Sequence, residues 1–254
     1  MKRCLKSDPE PSCLSSFRTV NPDGDWDLFK ESRDAYTELV DRLRSDQRGL
    51  CTYCEAEAPE NNRQVAHFHP KSDRDGSTNW ALTWSNLWMC CKGGTQTWLA
   101  GNEEEFLPPL PENRSCDENK MDKVLDGVIL RPDGVPAFPR IFRYRWWTDE
   151  VHIEADDEQC VACGIDPRLA ENTIEELNLN CRRLGRARHR VLKILQAEMT
   201  ELRKARRSLP ETHLSAKWLG VQGSGHYRKF FTAMRWQLRD AGAEAFLHAS
   251  GFKG

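Results

Sequence analysis

Hydrophobic residues recur at helical spacing in two parts of the chain. Near the N-terminus, Asp25 can cap a helix whose apolar positions continue to about Asp46, whereas the proline-containing stretch 7–24 is predicted to be irregular. From Pro167 onward the helical spacing returns, with a break at 208–210 and a last helix over about 226–249. We therefore predict an N-terminal segment with one helix over residues 1–50 and a C-terminal helical region over residues 166–254.

The middle of the chain has no helical period. Residues 51–130 are rich in Cys, Trp, Gly and Asn, and we predict short strands and loops there, with one helix beginning near Cys116. Residues 131–165 contain alternating apolar positions around a turn near Thr148–Asp149, which predicts a hairpin and connector. The whole pattern indicates an α+β fold that is mainly helical.

Composition limits the functional classes. The 254 residues carry a formal net charge of −2, so any basic surface for nucleic acid must be local. The N-terminus is charged, and no apolar run approaches the roughly 20 residues that a membrane span needs. We therefore expect a cytoplasmic protein, in which the ten cysteines serve as metal ligands and buried thiols rather than as disulfides.

The first cysteine pair indicates a metal site. Cys51 and Cys54 are separated by two residues, which lets both sulfurs reach one ion from a tight turn. A closed site needs two more donors, and Cys90, Cys91 and Cys116 are the candidates downstream. A redox-active dithiol is the alternative, although no thioredoxin-like βαβ pattern surrounds the pair.

Two other patterns have open interpretations. Cys160, Cys163 and Cys181 form a second possible ligand group, with His189 as a possible fourth donor. The predicted long helix after residue 180 is strongly basic, and it is either a solvated face or a stripe that follows phosphates. Its basic residues are Arg182, Arg183, Arg186, Arg188, Arg190, Lys193, Arg203, Lys204, Arg206 and Arg207.

A histidine and an asparagine lie between the two halves of the first cysteine group. His67 is followed some twenty residues later by Asn86 in a Trp-x-Asn-Leu context, an order that resembles the HNH nuclease motif. The chain is similar to the HNH nuclease family that includes PtuB, the nuclease subunit of Septu and retron anti-phage defence systems. The resemblance rests on residues 51–55 (CTYCE), 65–72 (VAHFHPKS), 84–91 (WSNLWMCC) and 115–120 (SCDENK), with further similarity at 1–6 and 174–180. Residues 208–254 have no assignable counterpart.

The resemblance implies a zinc-stabilised ββα-metal (HNH) core at residues 51–130, flanked by N-terminal and C-terminal helices. Its structural Zn²⁺ would be held by Cys51, Cys54, Cys91 and Cys116. Cys91 is chosen because the family's third cysteine follows the asparagine by five positions, and Cys90 is the fallback. A site with three cysteines and His67 remains an alternative.

The resemblance also implies the catalytic residues. His67 would be the general base. Asn86 would hydrogen-bond the backbone of the histidine's segment or its ring and so fix its orientation, although Asn86 could instead be a turn residue. Asp117 would hold a catalytic Mg²⁺ or Mn²⁺, although it could instead cap the helix. Lys71 and Lys120 would contact phosphate.

One position departs from the family pattern. Family members usually have a metal-binding acid before the base, whereas this chain has Ala66. His69 is a possible substitute ligand, although strand alternation places it on the same face as His67. Glu55 and Asp73 are other candidates.

The sequence thus predicts an HNH-type metal-dependent endonuclease that cleaves phosphodiester bonds. DNA is the first expectation for its substrate, and structured RNA such as tRNA is the alternative. The resemblance implies a PtuA-like ABC-type ATPase as partner in anti-phage defence. The competing hypothesis, which Ala66 suggests, is a catalytically weak zinc-binding module that mainly binds this ATPase.

Overall fold

Helices flank two separate two-stranded sheets in the computed structural model, which describes residues 1–73, 78–96, 110–204, 212–240 and 242–254. The fold is α+β and mainly helical, as predicted. The described elements are α1 (Ser12–Val20), α2 (Trp26–Glu31), α3 (Arg33–Asp46), β1 (Gln64–His67), β2 (Leu87–Cys90), α4 (Asp117–Lys120), β3 (Phe142–Trp146), β4 (Val151–Ala155), α5 (Asp157–Ala162), α6 (Pro167–Glu176), α7 (Arg182–Lys204), α8 (Thr212–Leu219), α9 (Phe231–Gln237) and α10 (Ala243–Ala249).

The N-terminal region contains more helix than the sequence predicted. Asp25 does cap a helix, because its carboxylate accepts a hydrogen bond from the Leu28 amide at 2.9 Å. The helix stops at Ser32, whose ψ of 76° is not helical, so one predicted helix is in fact α2 and α3. The prediction of irregular structure for 7–24 was wrong at α1. Pro11 directly precedes that helix, where its missing N–H removes no helical hydrogen bond.

The sheet of β1 and β2 is buried on both faces. The strands run antiparallel, with Val65 opposite Met89 and Ala66 opposite Trp88. The first pair packs with the N-terminal helices, and the second pair packs into the larger core that includes the C-terminal helices. This double burial explains why β2 is apolar throughout, without the alternation of a half-exposed strand.

A buried glutamine joins α3 to β2. Gln47 is fully buried, and its side-chain oxygen accepts from the Met89 amide at 2.8 Å. Its side-chain nitrogen donates to the carbonyls of Met89 at 2.7 Å and Leu50 at 3.1 Å. One side chain therefore satisfies backbone groups at the outer edge of β2 and at the start of the cysteine segment.

The predicted hairpin is present. Strands β3 and β4 pair antiparallel from Phe142 opposite Ala155 to Trp146 opposite Val151. The Trp147 amide donates to the Glu150 carbonyl at 2.9 Å across the turn. Helices α6 and α7 contact β4, and α9 contacts β3.

The C-terminal region is attached to the first cysteine pair. The Phe230 amide donates to the Glu55 carbonyl at 2.8 Å, and the Thr232 amide donates to the Glu55 carboxylate at 2.7 Å. The single predicted last helix is instead α9 and α10, with Gly242 in a left-handed conformation (φ 75°) directly before α10. The predicted break at 208–210 lies outside the described residues.

Within the described part of the chain, no helix combines the length and the apolar character that crossing a membrane would require.

Replacing Gln47 with leucine should destabilise the fold. The Met89 amide would stay buried without its acceptor, and such an orphaned group costs about 1–3 kcal/mol. Equilibrium urea unfolding measures the free energy of unfolding. The exposed Gln196 of α7 gives a matched control, because Gln196→Leu should change this free energy by less than about 0.5 kcal/mol. Equal free energies of unfolding for the two variants would contradict the conclusion that the hydrogen bonds of Gln47 stabilise the fold.

Candidate active site and metal centre

Four cysteine sulfurs meet at one buried point. Cys51 and Cys54 lie in the turn before β1, Cys91 follows β2, and Cys116 directly precedes α4. The Sγ atoms are 3.9 Å apart for Cys51 and Cys116, 3.7 Å for Cys54 and Cys91, and 3.8 Å for Cys91 and Cys116. A tetrahedral zinc ion with Zn–S bonds of about 2.3 Å separates its sulfurs by about 3.8 Å. The cluster therefore has the dimensions of a four-cysteine zinc site.

The backbone holds the first two sulfurs in place. The Cys51 amide donates to the Ala56 carbonyl at 2.9 Å, and the Glu55 amide donates to the Cys51 carbonyl at 3.1 Å. The Ala56 amide also approaches Cys54 Sγ at 3.4 Å. These bonds close the turn, and an amide directed at sulfur favours the thiolate that metal binding requires.

The charges of the cluster depend on one another. Burial raises the pKa of Cys51 and Cys116 above the ordinary value, whereas hydrogen bonds from Cys116, Cys51 and Cys54 lower that of Cys91. Four adjacent thiolates repel one another, so a cation is needed to hold all of them deprotonated. The group can therefore bind a metal ion.

The structure brings together the four cysteines that the sequence singled out as zinc ligands. Neither Cys90 nor His67 is in the cluster, so neither the fallback nor the site with three cysteines and a histidine is formed. Within the described parts of the chain, Cys160 and Cys163 belong to no second metal-binding group. Their thiols lie against the backbone carbonyls of Ile141 and Gln159.

His67 is buried at the end of β1, with 7% of its surface exposed. Its Nε2 lies 3.1 Å from the Ala81 carbonyl oxygen, and the Trp26 ring meets the imidazole edge-on at 4.6 Å. Burial lowers the pKa of His67 to about 4, so the ring is neutral at pH 7. A carbonyl can only accept, so Nε2 carries the hydrogen and Nδ1 keeps a free lone pair.

Asn86 fixes the segment that follows His67. Its side-chain oxygen accepts from the His69 amide at 2.7 Å, and its nitrogen donates to the His69 carbonyl at 2.9 Å and to the Trp80 carbonyl at 2.8 Å. Asn86 also ends a 3₁₀ turn over Trp84–Asn86. Asn86 therefore lies in a turn and also binds the backbone beyond His67, so the two alternatives that the sequence left open occur together.

A cleft of about 290 Å³ opens beside His67. Strand β1 and helix α4 form one wall, and helices α2 and α3 form the other. Its charged and polar lining includes His67, Gln64, Lys71, Asp117, Lys120, Asp122, Lys30 and Tyr36.

The two charged residues of α4 in the cleft interact with each other. Burial raises the pKa of Asp117 to about 6, although Lys120 Nζ lies 3.6 Å from its carboxylate and opposes this rise. The N-cap residue of α4 is Cys116, and Asp117 is the first residue of the helix. Lys120 is 1% exposed, and its ammonium donates to the Met121 carbonyl at 3.0 Å.

The proposed substitutes for the missing acid lie elsewhere. Ala66 faces the larger core, on the opposite side of β1 from His67. His69 is bound through Nδ1 to Asp126 and through Nε2 to Asp73, each at 2.8 Å. Burial slightly opposes the charged form of His69, but these two carboxylates raise its pKa above the ordinary value.

Glu55 is also committed elsewhere, because its carboxylate binds Thr232. The second carboxylate of the cleft is instead Asp122, and Gln64 adds an amide oxygen. Sequence analysis missed both residues, together with Lys30. The spacing of Asp122 from Asp117 was the one sequence feature that could have indicated Asp122 as a cleft residue.

The basic residues of the long helix do not form one free positive face. Arg183 and Arg188 are buried. Arg182 pairs with Glu150 at 3.8 Å, and Arg186 pairs with Asp149 at 2.8 Å. Arg206 and Arg207 lie outside the described residues. Most of the described stripe therefore serves packing and ion pairing.

Comparisons with known proteins identify the family. No family model matches the chain, and no solved structure matches it significantly. A curated protein of Escherichia coli named "Retron Ec83 putative HNH endonuclease" is 36% identical over 214 residues, which cover 76% of this chain and 79% of the relative. A protein of Vibrio cholerae serotype O1 biovar El Tor named "Retron Vc95 putative HNH endonuclease" is 34% identical over 82 residues, or 31% of this chain and 40% of the relative. Because the first match extends over most of both chains, the chain belongs to the HNH endonuclease family, whose members are hydrolases acting on nucleic acid.

Proposed function

We propose that the cleft beside His67 is the active site of a metal-dependent endonuclease built on a ββα-metal core of β1, β2 and α4. The observation that carries the proposal is the state of His67. Its ring is neutral at pH 7, it is oriented by the Ala81 carbonyl, and it lines a cleft with carboxylates and lysines. A general base needs this combination of a free lone pair and a fixed direction.

In the proposed reaction His67 activates water. Nδ1 takes a proton from a water molecule as the water oxygen bonds to the scissile phosphorus. The bond from phosphorus to the 3′-oxygen breaks, and the leaving oxygen takes a proton from solvent. Asn86 acts at a distance, because its bonds to the His69 backbone hold the end of β1 in register with the turn beyond it.

The cleft suits a hard divalent ion. Mg²⁺ and Mn²⁺ prefer oxygen donors, and Asp117, Asp122 and Gln64 offer two carboxylates and an amide. Asp117 has a raised pKa, so a neighbouring cation would favour its ionised form. When bound there, such an ion would neutralise charge on the phosphoryl oxygen and the leaving oxygen. We assign the ligand role to Asp117 and Asp122, because both ring nitrogens of His69 are bound to carboxylates.

The lysines of the cleft have different roles. Lys30 is exposed and Lys71 is partly exposed where they line the cleft, and we assign both to phosphate contacts. Lys30 also pairs with the exposed Asp27 at 2.8 Å, a contact that phosphate can replace. Lys120 is too buried to reach a substrate backbone without a rearrangement, and its proposed role is to hold Asp117 and the end of α4.

The four-cysteine cluster is proposed to hold a structural Zn²⁺. Its sulfur separations fit the ion, and it joins the turn before β1, the end of β2 and the start of α4. Helix α4 has only four residues, too few to be stable without a crosslink. The zinc would thus set the distance between Asp117 and His67 without taking part in hydrolysis.

The biological setting is proposed from the relatives. Both are named as retron proteins, which supports a retron-associated role that we propose to be anti-phage defence. A PtuA-like ABC-type ATPase is proposed as the partner from the family resemblance alone. DNA is the first substrate to test, followed by structured RNA such as tRNA. The alternative of a catalytically weak module that binds the ATPase has one specific observation in its favour. The position of the family's acid is Ala66, buried in the core and facing away from the cleft.

Replacing His67 with alanine should lower cleavage about 100-fold or more, because general-base catalysis contributes about 10²–10⁴-fold. The assay combines plasmid DNA, single-stranded DNA and tRNA with Mg²⁺ or Mn²⁺, both alone and with any ATPase encoded beside the protein. The exposed histidine variant His213→Ala should retain full activity. If wild type and His67→Ala behave alike under every condition, the binding-module alternative is favoured.

Zinc analysis tests the cluster through two adjacent cysteines. The purified protein should retain about one zinc per chain after dialysis, as a closed four-ligand site does. Cys91→Ser should lose most of this zinc and unfold at a lower temperature, because one ligand is missing. Cys90→Ser should keep the zinc, since Cys90 is equally buried but lies outside the cluster. Equal zinc contents in the two variants would refute the assignment of Cys91.

The phosphate contacts can be tested by binding. In a His67→Ala background, Lys30→Gln and Lys71→Gln should each reduce the slope of log affinity against log salt concentration by about 1. Fluorescence anisotropy with a labelled oligonucleotide measures this slope. Lys193→Gln, on the exposed part of α7, should leave it unchanged. If neither cleft variant changes this slope, the nucleic acid binds outside the cleft.

A further inference from the structure

A buried arginine of α7 has no acidic partner among the residues that the structure describes. Arg183 is 7% exposed, and it forms no ion pair with any carboxylate in the described parts of the chain. Its Nη2 donates to Ser115 Oγ at 2.7 Å, and its Nε reaches the Asn113 carbonyl at 3.5 Å. Burying a charge that only neutral groups contact is costly, so a negative charge close to Arg183 would stabilise it.

The contacts of Arg183 lead to the cysteine cluster. Ser115 is fully buried, and its hydroxyl donates to Cys116 Sγ at 3.6 Å. A hydrogen-bonded path therefore runs from the guanidinium through one hydroxyl to a cluster sulfur. The loop before it is packed closely, since a Cβ on Gly94 would lie 2.9 Å from Arg183 Nε.

The electrostatics agree with this path. Burial alone would lower the pKa of Arg183, but the sulfurs of Cys91, Cys181, Cys54 and Cys116 raise it above the ordinary value. Three of these four cysteines are the proposed zinc ligands. A cysteine is a counter-charge only as a thiolate, and binding to a metal makes its thiolate form permanent.

We infer that Arg183 is the counter-ion of the metal-bound cluster and a determinant of its metal affinity. The inference rests on the structural zinc proposed above. Four thiolates outweigh one Zn²⁺ by two negative charges, and the guanidinium removes one of the two. A bound metal ion holds the cluster in this anionic form, and without the ion Arg183 is a buried charge whose hydrogen bonds go to the neutral groups of Ser115 and Asn113. Arg183 thus stabilises the metal-bound protein and opposes folding of the metal-free protein, which widens the stability difference between the two.

The test measures zinc dissociation constants by competition with a chromophoric chelator, and melting temperatures with and without zinc. Arg183→Gln keeps a hydrogen-bonding side chain but removes the charge, and Arg183→Met removes both. Each should raise the dissociation constant about ten- to hundredfold, the usual effect of losing an outer partner of a metal ligand. Each should also reduce the loss in melting temperature when zinc is removed. Arg183→Lys should keep most of the affinity.

A matched control lies on the same helix. Arg188 is also buried, but it donates to the backbone carbonyls of Val151 and Leu179 and not towards the cluster. Arg188→Met should lower stability with and without zinc by similar amounts and leave the zinc dissociation constant unchanged.

Three results would overturn the inference. The first is an Arg183→Gln dissociation constant indistinguishable from that of wild type. The second is an equal effect of Arg188→Met, which would indicate general damage to α7. The third is a wild-type protein without zinc, which would refute the proposed metal centre as well. The first two results leave the metal centre and the nuclease proposal intact, because neither measurement uses cleavage.

Discussion

The convergence of four cysteine sulfurs is the constraint on which the site depends. Strands β1 and β2 and helix α4 have four residues each, so their own hydrogen bonds hold little structure. The cluster ties the ends of these short elements to one point, with sulfur separations of 3.7–3.9 Å. Asp117 directly follows Cys116, so its place in the cleft depends on the position of that sulfur.

The rest of the fold controls the environment of His67. The sheet of β1 and β2 separates two hydrophobic clusters, and His67 lies on the side covered by the N-terminal helices. Trp26 excludes water from one edge of the imidazole, and the Ala81 carbonyl sets its tautomer. The N-terminal helices also contribute Lys30 to the opposite wall of the cleft. These helices are therefore part of the site and not only a support for it.

Local rules predicted the features that have local causes. The cysteine spacing identified Cys51 and Cys54 as a ligand pair, and alternation with a turn identified the hairpin of β3 and β4. Cys91 and Cys116, which complete the cluster, were implied by the family resemblance. The contact of Asn86 with the backbone beyond His67 followed from the family resemblance. The roles of these residues in catalysis and metal binding remain predictions.

Features with tertiary causes could not be predicted in this way. Helix α1 buries Leu14 among residues of α2 and α3, a tertiary contact that local spacing does not reveal. Lys120 and Arg183 are buried although both side chains are charged. Lys120 donates to the backbone carbonyl of the next residue, Met121, whereas Arg183 donates to Ser115, which is distant in sequence. Strand alternation could not indicate a second carboxylate in the cleft, because Asp122 lines the cleft from the loop after α4.

The contact between Glu55 and Thr232 has an evolutionary consequence. Glu55 follows the zinc-ligand turn, whereas Thr232 belongs to the C-terminal region that has no counterpart in the resemblance. A buried carboxylate is tolerated only with donors around it, so relatives that lack this C-terminal region should supply other donors to an acid at the equivalent of residue 55. The donors around one carboxylate beside the metal-binding turn would then differ with the C-terminal extension that a member of the family carries.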